Sequence, residues 1–152
     1  MALGSNLGDR EGHLRHALRW LDTLPKTRLS DRSPFLRTPA VGPPQPDYLN
    51  AVARLVTHLG PVELLDALLT LERAAHRVRD PRVHWGPRTL DLDLLHMVDA
   101  LGQPIRLDHP RLLLPHPRLE ERRFVLEPLS LIDPELRLTS GLRVADRLAT
   151  LL

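Results

Sequence analysis

Fifteen prolines in 152 residues cut this chain into short pieces. Proline fixes φ and lacks a backbone N–H, so helices and central strands must fit between prolines. Met1–Leu3 reads as the end of a strand entering a turn at Gly4-Ser5-Asn6-Leu7-Gly8. Asp9 is placed to N-cap a helix to about Leu24, with Leu14, Ala17, Leu18 and Leu21 on one face and Pro25 as its stop. Thr27–Arg37 has strand character, and Pro34 within it marks an edge or a bulge. Pro39–Pro46 holds four prolines and Gly42 and is a loop. Tyr48–His58 reads as a strand with Ala51, Ala53, Leu55 and Thr57 on one face. Pro61 opens a second helix through Leu64, Leu65, Leu68, Leu71 and Ala75. An Arg-rich loop, Arg77–Pro87, leads to a strand over Thr89–Met97.

The order is β-α-β-β-α-β, an α+β chain of the split ferredoxin-like kind. It predicts a sheet with helices on one face plus a C-terminal extension. In that extension a Pro-rich stretch, Pro104–Pro117, precedes a short helix over Arg118–Leu126, a short strand near Leu136 and a closing helix over Leu142–Leu151. Residues 1–152 are expected to form a single domain, because roughly 100–200 residues is the usual span of one.

Composition narrows the chemistry. The absence of cysteine removes disulfides, thiolate metal sites and thiol nucleophiles. No apolar run approaches the ~18 residues of a membrane span, and the N-terminus has no basic segment followed by a long apolar one. The expectation is a cytoplasmic protein with no membrane partner, and a monomer. Lys26 is the sole lysine among 21 basic residues, so nearly all positive charge is guanidinium, which forks onto carboxylates and phosphates. A net charge of +2 is too small for a general nucleic-acid binder. Aromatics make up 3% of the chain, so one placed in a polar segment asks for a reason.

The sharpest local pattern is Asp91-Leu92-Asp93. On a strand, residues two apart share a face and lie about 6.5–7 Å apart. Leu90, Leu92 and Leu94 then point into the core while both carboxylates point the other way. Two such carboxylates repel each other unless a cation sits between them, and hard oxygen ligands suit Mg²⁺, which completes its shell with substrate phosphates. A solvated strand face carries the same pattern.

The preceding loop supplies Arg77, Arg79, Arg82 and Arg88 around Trp85, offset by Asp80 alone. Guanidinium groups facing a metal site are what phosphoryl transfer uses; a solvated basic loop or a non-specific RNA patch is the plainer alternative. His116 and Arg122 are six residues apart, nearly two helical turns if the chain between them is helical, so both could contact one polyphosphate. Tyr48, Trp85 and Phe124 lie beside loops or among arginines, where planar side chains could sandwich a flat heteroaromatic ligand, with Asn50 able to bond a ring edge. Trp20 and Phe35 read as core. No G-x-x-x-x-G-K-[ST] segment occurs, so a Walker-type phosphate cradle is excluded.

Several stretches together resemble the 6-hydroxymethyl-7,8-dihydropterin pyrophosphokinases of folate biosynthesis. They are Leu3–Gly8, Arg37-Thr38-Pro39, Gln45–Val52, Arg77-Val78-Arg79, Trp85–Leu94, Pro115–Leu119 and Arg122–Leu129. The resemblance implies a ferredoxin-like fold and transfer of a pyrophosphoryl group from ATP to the pterin hydroxymethyl, with AMP released. It implies two Mg²⁺ ions on Asp91 and Asp93, and catalytic roles for these and for Arg77 and Arg88. Arg79, Arg88, His116, Arg122 and Trp85 would hold ATP, Arg77 and Arg79 arriving by loop closure. The pterin would lie between Tyr48 and Phe124, its edge read by Asn50 and by Thr38, Pro39, Val41 and Gly42. Glu72 matches a family acid without an assignable role, and Arg82 receives none. A ferredoxin-like RNA-binding module and a pterin-binding protein without catalysis stand as the alternatives.

Overall fold

The computed structural model describes residues 1–40, 42–75 and 89–151. Its elements in chain order are β1 (Ala2–Ser5), α1 (Arg10–Leu21), β2 (Thr27–Arg32), β3 (Leu36–Thr38), β4 (Tyr48–Thr57), α2 (Pro61–Ala75), β5 (Asp91–Asp93), β6 (Leu107–His109), β7 (Leu112–Leu114), a 3₁₀ turn (Leu119–Glu121), α3 (Arg123–Ile132) and α4 (Val144–Thr150). The main sheet runs β2–β4–β1–β5, with β3 also paired to β4. The pairings of β4 with β2, β3 and β1, and of β1 with β5, are antiparallel, as the ferredoxin-like α+β arrangement requires.

Strand register sorts the side chains onto two faces. Ala2 lies opposite Val52 and Asp93, and Gly4 lies opposite Asn50 and Asp91. Leu36 and Thr38 lie opposite Asn50 and Tyr48. Because cross-strand partners share a face and neighbours alternate, Tyr48, Asn50, Val52, Ala2, Gly4, Asp91, Asp93 and Thr38 emerge together. The opposite face carries Leu3, Ala53 and Leu92, which pack with Leu14, Leu18 and Leu21 of α1 and Leu64, Leu68 and Leu71 of α2. Each leucine buried there is worth roughly 1.5–3 kcal/mol. On the first face, α3 covers only the Ala2–Val52 level through Val125, Leu126 and Leu129. The polar half of that face is left beside the start of α3.

Differences from the sequence expectations have local causes. The expected strand Thr27–Arg37 is two strands, because Ser33 and Pro34 interrupt it. Pro34 has no N–H to give, and Ser33 holds the break by donating its N–H to the Val52 carbonyl (2.9 Å) and accepting the Val52 N–H at Oγ (2.9 Å). The expected strand Thr89–Met97 narrows to β5, since the Leu95 carbonyl turns to the His116 N–H (2.7 Å) and that of Met97 to Ile105 (2.8 Å). The Pro-rich stretch contains a hairpin, β6–β7, turning at Pro110 and Arg111. The expected helix over Arg118–Leu126 is broken at Arg122, whose extended backbone (φ −105°, ψ 100°) separates the 3₁₀ turn from α3. His116 and Arg122 are therefore not joined by two helical turns. Near Leu136 there is an isolated bridge, Arg137 to Arg143, rather than a strand. The first helix keeps its Asp9 cap, the carboxylate accepting the Gly12 N–H (3.1 Å), but ends at Leu21.

Candidate active site

The site grows from a missing side chain. Gly4 occupies the central strand β1 between Asn50 and Asp91. A Cβ at Gly4 would lie 2.8 Å from Asn50 Oδ1 and 3.2 Å from Tyr48 Cδ1. The polar head of Asn50 and the Tyr48 ring therefore close over this glycine. Asn50 is buried, and its Nδ2 donates to Thr38 Oγ1 in a short hydrogen bond, which fixes the amide's orientation. Thr38, Asn50 and Tyr48 thus form one patch across β3 and β4.

The loop that follows β3 is tied down at its far end. Asn6, itself buried, donates from Nδ2 to Gln45 Oε1 (2.8 Å) and to the Pro46 carbonyl (3.1 Å), while Arg10 donates to the Asp47 carbonyl (2.7 Å). Pro39 and Gly42 are exposed on this loop, and Gly42 has a positive φ of 108°, a backbone that other residues rarely adopt. The Asn6 tether was not anticipated from sequence; its only signal was an amide in the Gly4–Gly8 turn.

Across the sheet, Asp91 and Asp93 flank buried Leu92 and share the Asn50 face, half-exposed. Arg122 reaches Asp93 from the extended residue before α3, Nη1 to Oδ2 at 3.6 Å. The same guanidinium lies over the Phe124 ring, 5.6 Å from its centroid. His116 is anchored through its N–H on Leu95, two residues past Asp93. Its Nδ1 accepts the Arg118 N–H (3.1 Å), so the neutral ring carries its proton on Nε2. Partial burial, then Arg122 and Arg118, hold its pKa below the usual 6.5. The carboxylates therefore share one neighbourhood with a guanidinium, an aromatic ring and a neutral imidazole.

Most described residues of the expected site fall into two groups, Asp91, Asp93, Arg122, Phe124 and His116, and Thr38, Asn50 and Tyr48, while Pro39 and Gly42 stay on the exposed loop after β3. Val41, Arg77, Arg79, Arg82, Trp85 and Arg88 lie outside the described residues. Glu72 gains a partner: its Oε2 accepts the Leu92 N–H at 2.7 Å.

The donor set decides what cation this face suits. Among the described residues no group of three or more His, Cys, Asp or Glu side chains could hold a metal. A pair of hard carboxylates fits Mg²⁺, which leaves sites for phosphate oxygens and water. It does not fit a closed structural zinc site.

The sequence itself matches a known family. The family described as 7,8-dihydro-6-hydroxymethylpterin-pyrophosphokinase matches residues 1–134. The chain belongs to this family. The chain is 45% identical over 150 residues to the 2-amino-4-hydroxy-6-hydroxymethyldihydropteridine pyrophosphokinase of Pseudomonas aeruginosa, covering 98% of this chain and 88% of the relative. The Synechocystis protein of the same name is 40% identical (89% of this chain, 66% of the relative) and that of Haemophilus influenzae 42% (93% and 84%). Family membership makes the protein a pyrophosphokinase of folate biosynthesis and disfavours the RNA-binding alternative. Among the described residues no helix is long and apolar enough to cross a membrane.

Proposed function

We propose that the Asn50–Asp91 face binds a dihydropterin and ATP side by side and moves the terminal pyrophosphoryl group of ATP onto the pterin hydroxymethyl. The single observation that carries this is the register across Gly4. It sets a ring-reading amide and an aromatic on one side of the glycine and two carboxylates on the other.

Thr38, Pro39, Val41, Gly42 and Asn50 would read the pterin edge, with Tyr48 and Phe124 as its walls. Asp91 and Asp93 would hold two Mg²⁺ ions. Bound there, these ions would neutralise phosphate charge and lower the cost of deprotonating the alcohol. Arg122, His116, Arg79, Arg88 and Trp85 would grip ATP, with Arg77 and Arg88 opposing charge that develops on the leaving AMP. The alcohol oxygen forms a bond to the β-phosphorus, and the bond from that phosphorus to the α–β bridging oxygen breaks. The alcohol proton passes to solvent and the electron pair leaves on AMP. Positioning of two bound substrates supplies up to ~7–11 kcal/mol in favourable cases. The reading further places all of residues 1–152 in one catalytic domain, active as a cytoplasmic monomer without nucleic-acid partners.

Product analysis tests it. AMP and a pyrophosphorylated pterin in equal amounts, formed only when ATP, 6-hydroxymethyl-7,8-dihydropterin and Mg²⁺ are all present, are expected. Pterin binding without AMP release would instead identify a non-catalytic pterin-binding protein.

A further inference from the structure

β5 is a three-residue strand with one described neighbour, β1, and it carries both carboxylates on its two outer residues. Its outer edge needs its own partner. Met1 and Ala53 exchange backbone hydrogen bonds, so the odd residues of β1 bond to β4 and the even ones, Ala2 and Gly4, turn to β5 at Asp93 and Asp91. The Leu92 N–H therefore points away from β1, out of the sheet edge, although Leu92 is buried. An unpaired buried N–H is costly. The Glu72 carboxylate, on the last turn of α2, accepts this hydrogen at 2.7 Å.

α2 packs on the face opposite Asp91 and Asp93, its Leu64, Leu68 and Leu71 joining the cluster of Leu3 and Leu92. Glu72 therefore acts on the carboxylate face through the backbone of β5. We infer that Glu72 is a positioning residue: by holding the Leu92 N–H it fixes the spacing and direction of the Asp91 and Asp93 carboxylates. This rests on the reading of those two residues as the metal-holding pair. A divalent ion tolerates little error in carboxylate placement, about 0.5 Å in a working site. A three-residue strand whose pairing among the described residues is with β1 alone gains a second fixed point from this bond. The accepting oxygen is what matters, so a neutral acceptor of the same length should serve.

Mn²⁺ binding, read by the electron paramagnetic resonance of the free ion with a non-hydrolysable ATP analogue present, tests this without turnover. Glu72→Ala is expected to weaken Mn²⁺ binding five- to tenfold and Glu72→Gln less than threefold. Glu72→Asp keeps the charge but falls short of the N–H, and should behave like Glu72→Ala. This variant decides the matter if Glu72→Ala does not fold. Parent-like Mn²⁺ binding by Glu72→Asp overturns the inference. A loss in Glu72→Gln as large as in Glu72→Asp also overturns it, because both charge and acceptor would then be needed. Asp93→Ala separates the two levels. If it binds Mn²⁺ like the parent, the metal reading itself fails and the inference with it. If Asp93→Ala loses binding while Glu72→Asp does not, only the role of Glu72 fails.

Discussion

Arg122 stands 3.6 Å from the Asp93 carboxylate, where a divalent cation bound to that carboxylate would compete with it. The guanidinium offsets part of the Asp93 charge, and a cation on that carboxylate would favour its turning toward a phosphate. Two opposite effects follow for Arg122→Ala. Mn²⁺ alone should bind two- to fivefold tighter, because a competing positive charge is gone. An ATP analogue should bind at least tenfold weaker, because the phosphate ligand proposed above is gone. Titrations of each ligand separately check both signs. If Mn²⁺ binding weakens along with the nucleotide, Arg122 supports the site rather than competing for Asp93.

Gly4 is the position where one methyl group should do most harm. Gly4→Ala would place its Cβ 2.8 Å from Asn50 Oδ1, so Asn50 must move and its bond to Thr38 must stretch or break. Overpacking of this kind costs about 1–3 kcal/mol of stability. Pterin affinity should fall at least tenfold, while ATP-analogue affinity stays within threefold because Arg122 and His116 are untouched. Calorimetric titration of both ligands, with a thermal melt, checks this. Equal losses for the two ligands would mean that the methyl group disturbs the whole sheet rather than the pterin patch.

How far the sequence carried depends on how local each signal was. Asp9, Pro25, Pro61 and the alternation through Leu90, Leu92 and Leu94 are local chemistry, and the elements they marked are present. The split at Ser33 was signalled by Pro34, but its stability depends on Val52, nineteen residues away in sequence. β5 is shorter than its β-rich sequence because His116 and Ile105 take carbonyls that a longer strand would have used. The hairpin at Leu107–Leu114 was hidden by Pro110, which reads as a breaker and in fact occupies the turn. In the candidate site, Asp91, Asp93 and Asn50 stand out in the sequence by residue type and spacing, and the strand register puts them on one face. Gly4 and Glu72 do not stand out, since their importance lies in what stands across a strand pairing or at a sheet edge.

The two aromatics should part company when each is truncated. Tyr48 belongs to the Asn50 patch and touches the Gly4 position, whereas Phe124 also supports the Arg122 guanidinium through its ring face. Tyr48→Ala should weaken pterin binding by about 1–3 kcal/mol, roughly five- to 150-fold, and leave an ATP analogue within twofold. Phe124→Ala should cost a similar amount of pterin binding and a further two- to fivefold in the nucleotide, since a cation–π contact at a partly exposed site is worth about 0.5–1 kcal/mol. Identical selectivity of the two variants for pterin over nucleotide would refute a separate link from Phe124 to Arg122.

His116 gives the site a defined pH response. Burial, Arg122 and Arg118 lower its pKa below 6.5, so the folded protein holds it neutral where an unfolded chain would begin to protonate it. Its contribution to stability is then complete above about pH 6.5 and is lost as pH falls through the lowered value, because the unfolded state binds the extra proton first. A polyphosphate beside the ring acts in the other direction, favouring the imidazolium and raising the pKa. Binding of an ATP analogue should therefore be accompanied by proton uptake near pH 6 that fades toward pH 8. Titration calorimetry in two buffers of different ionisation enthalpy measures that uptake, and His116→Gln subtracts the proton that the nucleotide itself contributes. The parent is expected to take up more protons than the variant at pH 6 and the same number at pH 8. Equal uptake at both pH values would place His116 out of reach of the phosphates.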